Sequence, residues 1–474
     1  MRTADQRPRV PLLSRRRAPQ AFHLPFTRHT YRGQPQEMQS PRRRRACILR
    51  RSDQYEHTVQ SEAEALAAAG FDVEVICIRS VDSPRRAVVN GVTVIRAPVK
   101  LRSGTTGKSV GYGLFFLFAT GHVSIRHIRK PYAVVQANSL PDFLVFAALV
   151  PKLLGCRVVA YMQEPAPELA ATILKNKWIT GLLARVEQWA IQFADHCVTV
   201  TDQLKQRYVE SGAAQDRITV VLNCADPGLI LKNWPPSRIE SKSRFVVVCH
   251  GTIADRYGQD TILDAARLLR DEMPDLRVVI TGRGPGTEEL IKAIVSYELQ
   301  DIVQFEGWVS QARLNDILYS ADVGIVAQKA SSYSHLVHTN KMMDYWIFGL
   351  PVIASQLHAV SRLYDESVME YFEPGNAEDL AAAIRRLYAD PARRAELARN
   401  GKIAEHSNGW ATQRITYLSV FNSLLGNVAT QRPEKLSPES TTAQRDRRHE
   451  GPLRPLREIA GTCWQYHSPK WPAL

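Results

Sequence analysis

Short apolar runs alternate with amphipathic stretches along most of the chain, and this alternation predicts strands and helices in turn. Residues 47–49 and 73–77 have strand-like patterns, while residues 58–69 carry an apolar stripe at helical spacing. Gly70 follows that stripe and predicts the end of the helix. Because strand, helix and strand succeed one another repeatedly, the sequence predicts an α/β fold with doubly wound sheets, whose ligands bind at the carboxyl ends of the strands.

The alternation is interrupted at residues 226–243, which are rich in proline and polar residues. Strand and helix patterns restart at Phe245, and residues 410–425 form a last amphipathic pattern. These shifts predict six parts: a disordered basic tail at 1–45, a first α/β domain at 46–225, a linker at 226–243, a second α/β domain at 244–405, a final helix at 406–427 and a disordered tail at 428–474.

The positive charge of the protein is concentrated in its tails. The chain of 474 residues has a formal net charge of +14, and residues 1–45 contain twelve arginines against two acidic residues. The arginine run at 42–45 is compatible with contact to nucleic acid or anionic lipid, but a solvated charge run is favoured, and we expect no specific nucleic-acid partner. The N-terminus lacks the apolar core of a secretory signal, which favours a cytoplasmic protein.

Seven cysteines are scattered through the sequence without a C-x-x-C pair or a histidine-rich neighbour. Most lie in apolar, strand-like runs, so we interpret them as small buried side chains in a reducing compartment. The sequence has no zinc or haem spacing, and we expect no metal ion and no other cofactor.

One segment, residues 111–125, is more apolar than its neighbours and has basic residues on both sides. It is too short to cross a bilayer, which needs about 20 apolar residues. Two interpretations remain open: a mostly buried helix of the first domain, which we favour, or an interfacial helix whose basic rim docks on anionic lipid at the inner face of the membrane.

Candidate chemistry is densest in residues 338–355, where a polar cluster opens an apolar helical run and Gly349 ends it before a buried strand. Lys341 and Asp344 are three residues apart, so a helix places them on one face near its N-terminus, where a bound anion is also favoured. This arrangement suits a nucleotide. A solvated Lys–Asp pair on an ordinary amphipathic helix is the competing interpretation.

Further candidates follow predicted strands. Gly251 and Thr252 follow the first strand of the second domain, and a glycine turn lets the backbone approach a phosphate closely. Glu164 and Glu168 follow the strand at 157–161 and are candidate active-site carboxylates, although Glu168 also fits the first turn of a helix.

The runs T-N-K-M-M-D-Y at 339–345 and F-G-L-P-V-I-A-S at 348–355 resemble the donor-site segment of GT-B glycosyltransferases, particularly those of family 4 (glycosyl transferases group 1). The resemblance implies two Rossmann-like domains that face each other across a cleft, the first binding the acceptor and the second the nucleotide sugar. It also implies retaining transfer of a hexosyl group to a glycan or lipid-linked acceptor, in cell-surface polysaccharide biosynthesis, without a metal.

The same resemblance implies a role for individual residues. Arg256 and Lys341 would bind the diphosphate, with Gly251 and Thr252 beside it, and Asp344 would bind the ribose. Glu164 lies in the loop that faces the sugar, so it joins Arg256 and Lys341 as a candidate catalytic residue. The remaining donor-site candidates are in two loops near the nucleotide: Gly282, Gly284, Trp308 and Val309.

The sequence departs from the family pattern at three positions. Gln163 stands in place of a histidine, Thr252 in place of an arginine, and Leu336 in place of the first acid of a two-glutamate signature. These departures leave open a transferase-like scaffold without activity. An oxidoreductase that uses NAD(P) is less favoured, because the third glycine of a dinucleotide fingerprint is replaced by Thr287.

Overall fold

A computed structural model describes residues 44–50, 57–79, 83–99, 101, 105–174, 176–232, 234 and 244–426. The predicted disordered tails lie outside these residues, except for Arg44 and Arg45. Most of the proline-rich centre of the predicted linker also lies outside them.

Fourteen strands are present in the described chain, and they form two separate sheets. They are β1 (Arg45–Leu49), β2 (Asp72–Ile78), β3 (Arg86–Val89), β4 (Val92–Ala97), β5 (Val134–Asn138), β6 (Arg157–Met162), β7 (His196–Thr199), β8 (Ile218–Val220), β9 (Phe245–Thr252), β10 (Leu276–Arg283), β11 (Val303–Gly307), β12 (Val323–Val326), β13 (Val352–Ser355) and β14 (Glu370–Phe372). The first sheet has the order β3-β4-β2-β1-β5-β6-β7-β8, and the second β11-β10-β9-β12-β13-β14.

Helices cover both faces of each sheet, as a doubly wound fold requires. They are α1 (His57–Ala68), α2 (Thr105–Arg129), α3 (Leu149–Leu153), α4 (Ala166–Leu174), α5 (Lys177–Phe193), α6 (Asp202–Glu210), α7 (Pro227–Ile230), α8 (Gln259–Leu269), α9 (Thr287–Ser296), α10 (Gln311–Ser320), α11 (Lys341–Ile347), α12 (His358–Ser361), α13 (Ala377–Ala389), α14 (Pro391–Asn408) and α15 (Trp410–Leu425). A 3-10 segment, Asp142–Ala148, precedes α3.

The two sheets are parallel except for one pair, which confirms the predicted α/β class. All residues of β1 and β5 are buried, as expected for central strands that helices cover on both faces. The exception is β3, an antiparallel edge strand against β4 that the apolar pattern did not predict. Its residues alternate between exposed and half-buried, so β3 lacks the apolar run of a central strand.

Right-handed crossovers decide which helices share a face of the first sheet. The chain moves in one direction across the sheet from β1 to β2 and in the other from β4 through β5 and β6 to β7. Connections of opposite direction place their helices on opposite faces. Helices α2, α3, α4 and α5 therefore form one layer, and α1 lies on the other side.

The last helix, α15, packs against the first sheet beside α1. Phe421 makes an edge-to-face contact with Phe71, with ring centroids 6.4 Å apart. The buried Tyr417 hydroxyl donates a hydrogen bond to Gln136 Oε1 at 2.8 Å. The chain thus returns to the first sheet after it has completed the second.

Two sequence expectations need correction. Arg45 belongs to β1 and not to a solvated tail: it is 3% exposed and pairs with the buried Glu74 at 2.7 Å. The apolar segment at 111–125 is part of a longer helix, α2, and it is not mostly buried. Phe115 faces the sheet and is fully buried, whereas Leu117 is 66% exposed. In the described part of the chain, no helix combines the length and the apolar character needed to cross a membrane.

Candidate functional site

The loops that carry most of the candidate residues converge at the carboxyl edge of the second sheet. After β9 the chain adds β10 and β11 on one side, and it then returns to add β12, β13 and β14 on the other. Such a reversal of strand order opens a crevice between the loops that leave the central strands, here β9 and β12. The candidate residues after β9, β10 and β12 border this crevice.

Glycines in these loops are required by contacts between the loops themselves. Gly282 has φ +142°, and a Cβ atom there would lie 1.7 Å from the carbonyl oxygen of Gly251. A Cβ on Gly284 would lie 2.0 Å from the carbonyl oxygen of Ile253. The loop after β10 therefore packs directly on the loop after β9, and only residues without a side chain allow this approach.

Helix α11 is short, and its buried aromatic residues hold it in place. The Tyr345 ring packs against Gly324: a Cβ atom added to Gly324 would lie 2.4 Å from the ring. The Tyr345 hydroxyl lies within hydrogen-bond distance of the carbonyl oxygens of Val248 and Ile325, at 3.2 and 3.1 Å. Gly401 of α14 packs in the same way against Trp346: a Cβ atom added to Gly401 would lie 2.3 Å from the indole ring. These contacts fix the orientation of the polar face that carries Lys341 and Asp344.

Two cations gather on one aromatic ring beside the glycine loops. Lys341 Nζ lies 4.0 Å from the centroid of the Tyr257 ring, and the Arg256 guanidinium lies 4.6 Å from it. Burial lowers the pKa of Lys341, and the charge of Arg256 lowers it further. Arg256 Nε is buried without a hydrogen-bond partner among the described residues. The site therefore concentrates positive charge that an anion would stabilise.

Asp344 and His250 face each other on the inner side of α11, with His250 Nε2 3.5 Å from Asp344 Oδ2. Burial raises the pKa of Asp344 to about 7, with Lys341 acting in the opposite direction. Burial and the charge of Lys341 lower the pKa of His250 to about 3, so its imidazole is neutral. The contact is consequently not an ion pair, and Asp344 is a carboxyl group without a full countercharge.

A cavity of about 200 Å³ opens beside Asp344. Its polar lining includes Thr58, Gln311, Asn340 and Asp344, and Leu314 and Leu318 of α10 are part of its apolar lining. Asn340 Oδ1 has no hydrogen-bond partner in the described part of the chain. The cavity thus offers apolar surface for a flat group beside hydrogen-bonding side chains, among them the oxygens of Asn340 and Asp344.

Trp308 and Val309 lie farther out, after the edge strand β11. Trp308 is 61% exposed, and the Arg283 guanidinium lies 5.2 Å from its ring. Val309 is half-buried and packs against the core. Thr252 is exposed next to the crevice, and its carbonyl accepts a hydrogen bond from Gln259 Nε2.

Glu164 approaches the site from the first sheet, at the carboxyl end of β6. Its Oε2 accepts a hydrogen bond from the hydroxyl of Tyr333, which belongs to the loop after β12. Gln163, in the position where a histidine was expected, accepts a hydrogen bond from Arg50 Nη1 at 2.5 Å. Glu168 lies in the first turn of α4 and instead forms an ion pair with Arg207 at 2.8 Å.

The arrangement brings Gly251, Arg256, Lys341 and Asp344 together, with Gly282 and Gly284 supporting the loops. Sequence reasoning missed Tyr257 and Tyr333, which organise the two cations and Glu164. Tyr333 is separated from Glu164 by 169 residues, and no local pattern signals such a contact. In the described part of the chain, no group of three or more His, Cys, Asp or Glu side chains has an arrangement that could hold a metal ion.

Family models match both halves of the chain. The model "Glycosyl transferases group 1" matches residues 244–390, which contain the crevice and both of its cations. The model "Glycosyl transferase 4-like domain" matches residues 55–224, which contain Glu164.

Individual relatives are more distant. A D-inositol 3-phosphate glycosyltransferase from Pseudarthrobacter chlorophenolicus is 28% identical over 45% of this chain and 51% of its own length. The lipopolysaccharide core biosynthesis glycosyltransferase LpsD from Rhizobium meliloti is 32% identical over 33% of this chain and 43% of its own length. The chain therefore spans about half of the length of these relatives, or somewhat less.

Solved structures share the fold over most of the chain. A sucrose-phosphate synthase from Thermosynechococcus elongatus has a TM-score of 0.65 at 17% identity, covering 81% of this chain and 99% of its own. HepE from Anabaena, in complex with UDP-glucose, has a TM-score of 0.60 at 14% identity, covering 80% and 99%. With both family models and the fold in agreement, the chain belongs to the group 1 glycosyltransferases of the GT-B fold.

Proposed function

We propose that this protein transfers a hexosyl group from a nucleotide sugar to an acceptor bound against the first sheet. The observation that carries the proposal is the pair of cations, Arg256 and Lys341, held on Tyr257 beside the glycine loops and opposite Glu164. A leaving nucleoside diphosphate is the anion that such a site fits.

The two cations would act on the leaving group. Negative charge develops on the diphosphate as the glycosidic bond breaks, and cations placed in advance stabilise that charge without reorganisation. The free enzyme holds Arg256 and Lys341 close enough to lower the pKa of Lys341, and a bound diphosphate would remove this repulsion. Lys341 and Arg256 would therefore bind the transition state more tightly than they bind the intact donor.

Asp344 and the adjacent cavity would hold the nucleoside. A carboxylate accepts hydrogen bonds from ribose hydroxyls, and the apolar wall formed by Leu314 and Leu318 suits a base. HepE, which shares the fold, is described in complex with UDP-glucose, and this supports a nucleotide sugar as the donor. Trp308 and Val309 would contribute at the outer edge of the same site.

The acceptor side of the proposal depends on Glu164. We propose that Glu164 faces the sugar and orients the acceptor hydroxyl, with retention of anomeric configuration. A relative named for lipopolysaccharide core biosynthesis supports a glycan or lipid-linked acceptor in cell-surface polysaccharide synthesis. A peripheral position at an anionic membrane would bring the enzyme to a lipid-linked acceptor.

Donor turnover tests this function. The protein is incubated with UDP-, GDP- and ADP-sugars, and release of the nucleoside diphosphate is measured with and without glycan acceptors. We expect release from one nucleotide class, and we expect Lys341→Ala to lower the rate by about tenfold or more. NMR of the product reports the anomeric configuration.

The two alternatives give different results in this assay. A transferase-like scaffold, which the departures at Gln163 and Leu336 favour, binds a nucleoside diphosphate but releases none from the sugar. An NAD(P)-dependent enzyme binds only the dinucleotide. Against the latter, Thr287 occupies the third fingerprint position and its hydroxyl accepts from the Gly284 N–H at 3.0 Å, which closes the turn before α9.

A further inference from the structure

The outer layer of the first sheet exposes an apolar stripe along α2. Val110, Leu114, Leu117, Ile125 and Ile128 recur at helical spacing and are between 52% and 66% exposed. The opposite side of the helix packs on the sheet, so these side chains face outward. A single exposed apolar residue is ordinary, but a stripe along a 25-residue helix indicates a surface that is covered in use.

The apolar surface continues onto the neighbouring helices of the same layer. Phe116 of α2 makes an edge-to-face contact with Phe143, and Phe146 makes one with Phe193 of α5, so the helices are joined side by side. Further exposed apolar residues occur in α3, α4 and α5: Leu149, Leu153, Ile173, Trp178, Leu182 and Trp189. Trp178 is 90% exposed. We call this surface, on α2 to α5, the apolar face.

The charges on the apolar face have one sign. The only acidic residues in α2, in α3 to α5 and in the 3-10 segment before α3 are Asp142, Glu168 and Glu187. Asp142 and Glu187 are buried, and Glu168 pairs with Arg207. Arg129, Lys177 and Arg185 are exposed. The described part of the layer therefore presents cations around apolar side chains and no exposed carboxylate.

We propose that the apolar face binds the surface of an anionic lipid bilayer. Apolar side chains with a basic surround insert at the boundary between headgroups and acyl chains, and tryptophan favours that boundary. Lys177 and Arg185 gain from the negative surface potential. A second copy of the chain fits less well, because a two-fold contact of the apolar face with itself would collect the cations of both copies in one interface without an exposed carboxylate to pair with them.

Membrane docking on the apolar face also has a consequence for the site. Helix α4 begins at Ala166, two residues after Glu164, so the apolar face reaches the edge of the cleft. A lipid-linked acceptor could then enter the cleft from the bilayer to which the enzyme is bound. This consequence, unlike the docking itself, rests on the proposed function.

Vesicle co-sedimentation of the full chain tests the proposal without donor or acceptor, and so independently of the transferase activity. The vesicles contain phosphatidylcholine, with or without phosphatidylglycerol. We expect binding to the anionic vesicles, and a loss of about tenfold or more for the double variant Leu117→Glu with Trp178→Glu. The matched control is Val295→Glu with Ile403→Glu, which places the same charges on residues of α9 and α14 that are 56% and 64% exposed.

A second variant examines the charges and does not touch the apolar residues. Lys177→Glu with Arg185→Glu should weaken binding to anionic vesicles and leave the thermal unfolding curve unchanged, since both residues are exposed. The proposal is overturned if the wild-type chain stays in the supernatant, or if the face variants and the control bind equally. It is also overturned if the wild-type chain is a dimer that Leu117→Glu converts to a monomer without an effect on vesicle binding.

Discussion

Lys341 and Arg256 share the ring of Tyr257, and this arrangement places two cations where a diphosphate can bridge them. The positive charge at the site comes from these side chains. Helix α11 has only seven residues, so its dipole contributes less than the sequence pattern implied. At the residue scale, the glycines around the cations affect stability because a side chain there would collide with the neighbouring loop. Asp344 affects stability through its protonation state.

Gly282→Ala should destabilise the protein by about 3 kcal/mol, because the new methyl group would meet the Gly251 carbonyl oxygen in a backbone conformation that disfavours side chains. Urea unfolding measures the change. Gly375→Ala is the control: its φ is +84°, but nothing lies within 4 Å of the new atom, so about 1 kcal/mol is expected. Equal losses in the two variants would contradict the interlocked loops.

Asp344 should make stability depend on pH in a defined direction. Its pKa in the folded protein is about 7, above its ordinary value. Its contribution to the free energy of unfolding is therefore fully present at low pH and is lost as the pH rises through 7. Asp344→Asn removes this titration. The neighbouring His250 does not change charge in this interval, because burial and the charge of Lys341 lower its pKa to about 3.

We therefore expect Asp344→Asn to gain stability relative to the wild type between about pH 5 and about pH 8, by about 1–3 kcal/mol. Urea unfolding of both proteins at the two pH values measures the difference. A relative loss at the higher pH would mean that Asp344 forms a net favourable ion pair with Lys341, contrary to the raised pKa.

At the scale of the elements, α14 determines the position of α11. Gly401 of α14 lies against the Trp346 indole, and Trp346 is fully buried, so it has little room to move. Through this contact the packing of one helix against another fixes the two polar residues of the site. The Tyr345 hydroxyl ties α11 to β9 and β12 in the same way.

Gly401→Ala should therefore destabilise the protein, although alanine is the better helix former by about 1 kcal/mol. The new methyl group would lie 2.3 Å from the Trp346 ring, and we expect a net loss of about 2 kcal/mol together with weaker nucleotide binding. Gly181→Ala in α5 is the control, since nothing lies within 4 Å of its new atom. Thermal unfolding of Gly401→Ala at or above the wild-type temperature would refute this account of α11.

The sequence predicts what is local and misses what depends on distant contacts. Lys341 and Asp344 could be found because the helix, glycine and strand that surround them follow one another within 18 residues, 338–355. The contact between His250 and Asp344 could not be found in this way, because the two residues are far apart along the chain. The exposure of α2 could not be predicted from its apolar composition. An apolar helix of this kind can be buried in the core of a domain, or it can lie on the protein surface and contact a membrane.

At the scale of the whole molecule, polar contacts join the two sheets across the cleft. The Tyr333 hydroxyl bonds to Glu164, and Thr201 Oγ1 donates to the carbonyl oxygen of Leu336 at 2.5 Å. Both contacts join the loop between β12 and α11 to the first sheet. This loop leads directly into Lys341, so the contacts between the sheets and the proposed diphosphate site lie in one segment of the chain.

Tyr333→Phe should lower turnover by about tenfold and leave nucleoside diphosphate affinity nearly unchanged. The reason is that the proposed nucleotide contacts lie on the second sheet, whereas the Tyr333 hydroxyl donates a hydrogen bond to Glu164 on the first. Steady-state kinetics and calorimetry on one protein preparation separate the two effects. Tyr388→Phe, which removes an exposed hydrogen bond to Asp275, is the control and should retain full turnover.

The most direct test of the donor site is calorimetric titration with UDP, GDP, ADP and NAD. We expect one nucleoside diphosphate to bind, Lys341→Ala to weaken it by about 10- to 100-fold, and Lys402→Ala, a lysine of α14, to have no effect. If none of the diphosphates binds, if NAD alone binds, or if Lys341→Ala binds as tightly as the wild type, the proposed assignment of this crevice to a nucleotide-sugar donor is wrong.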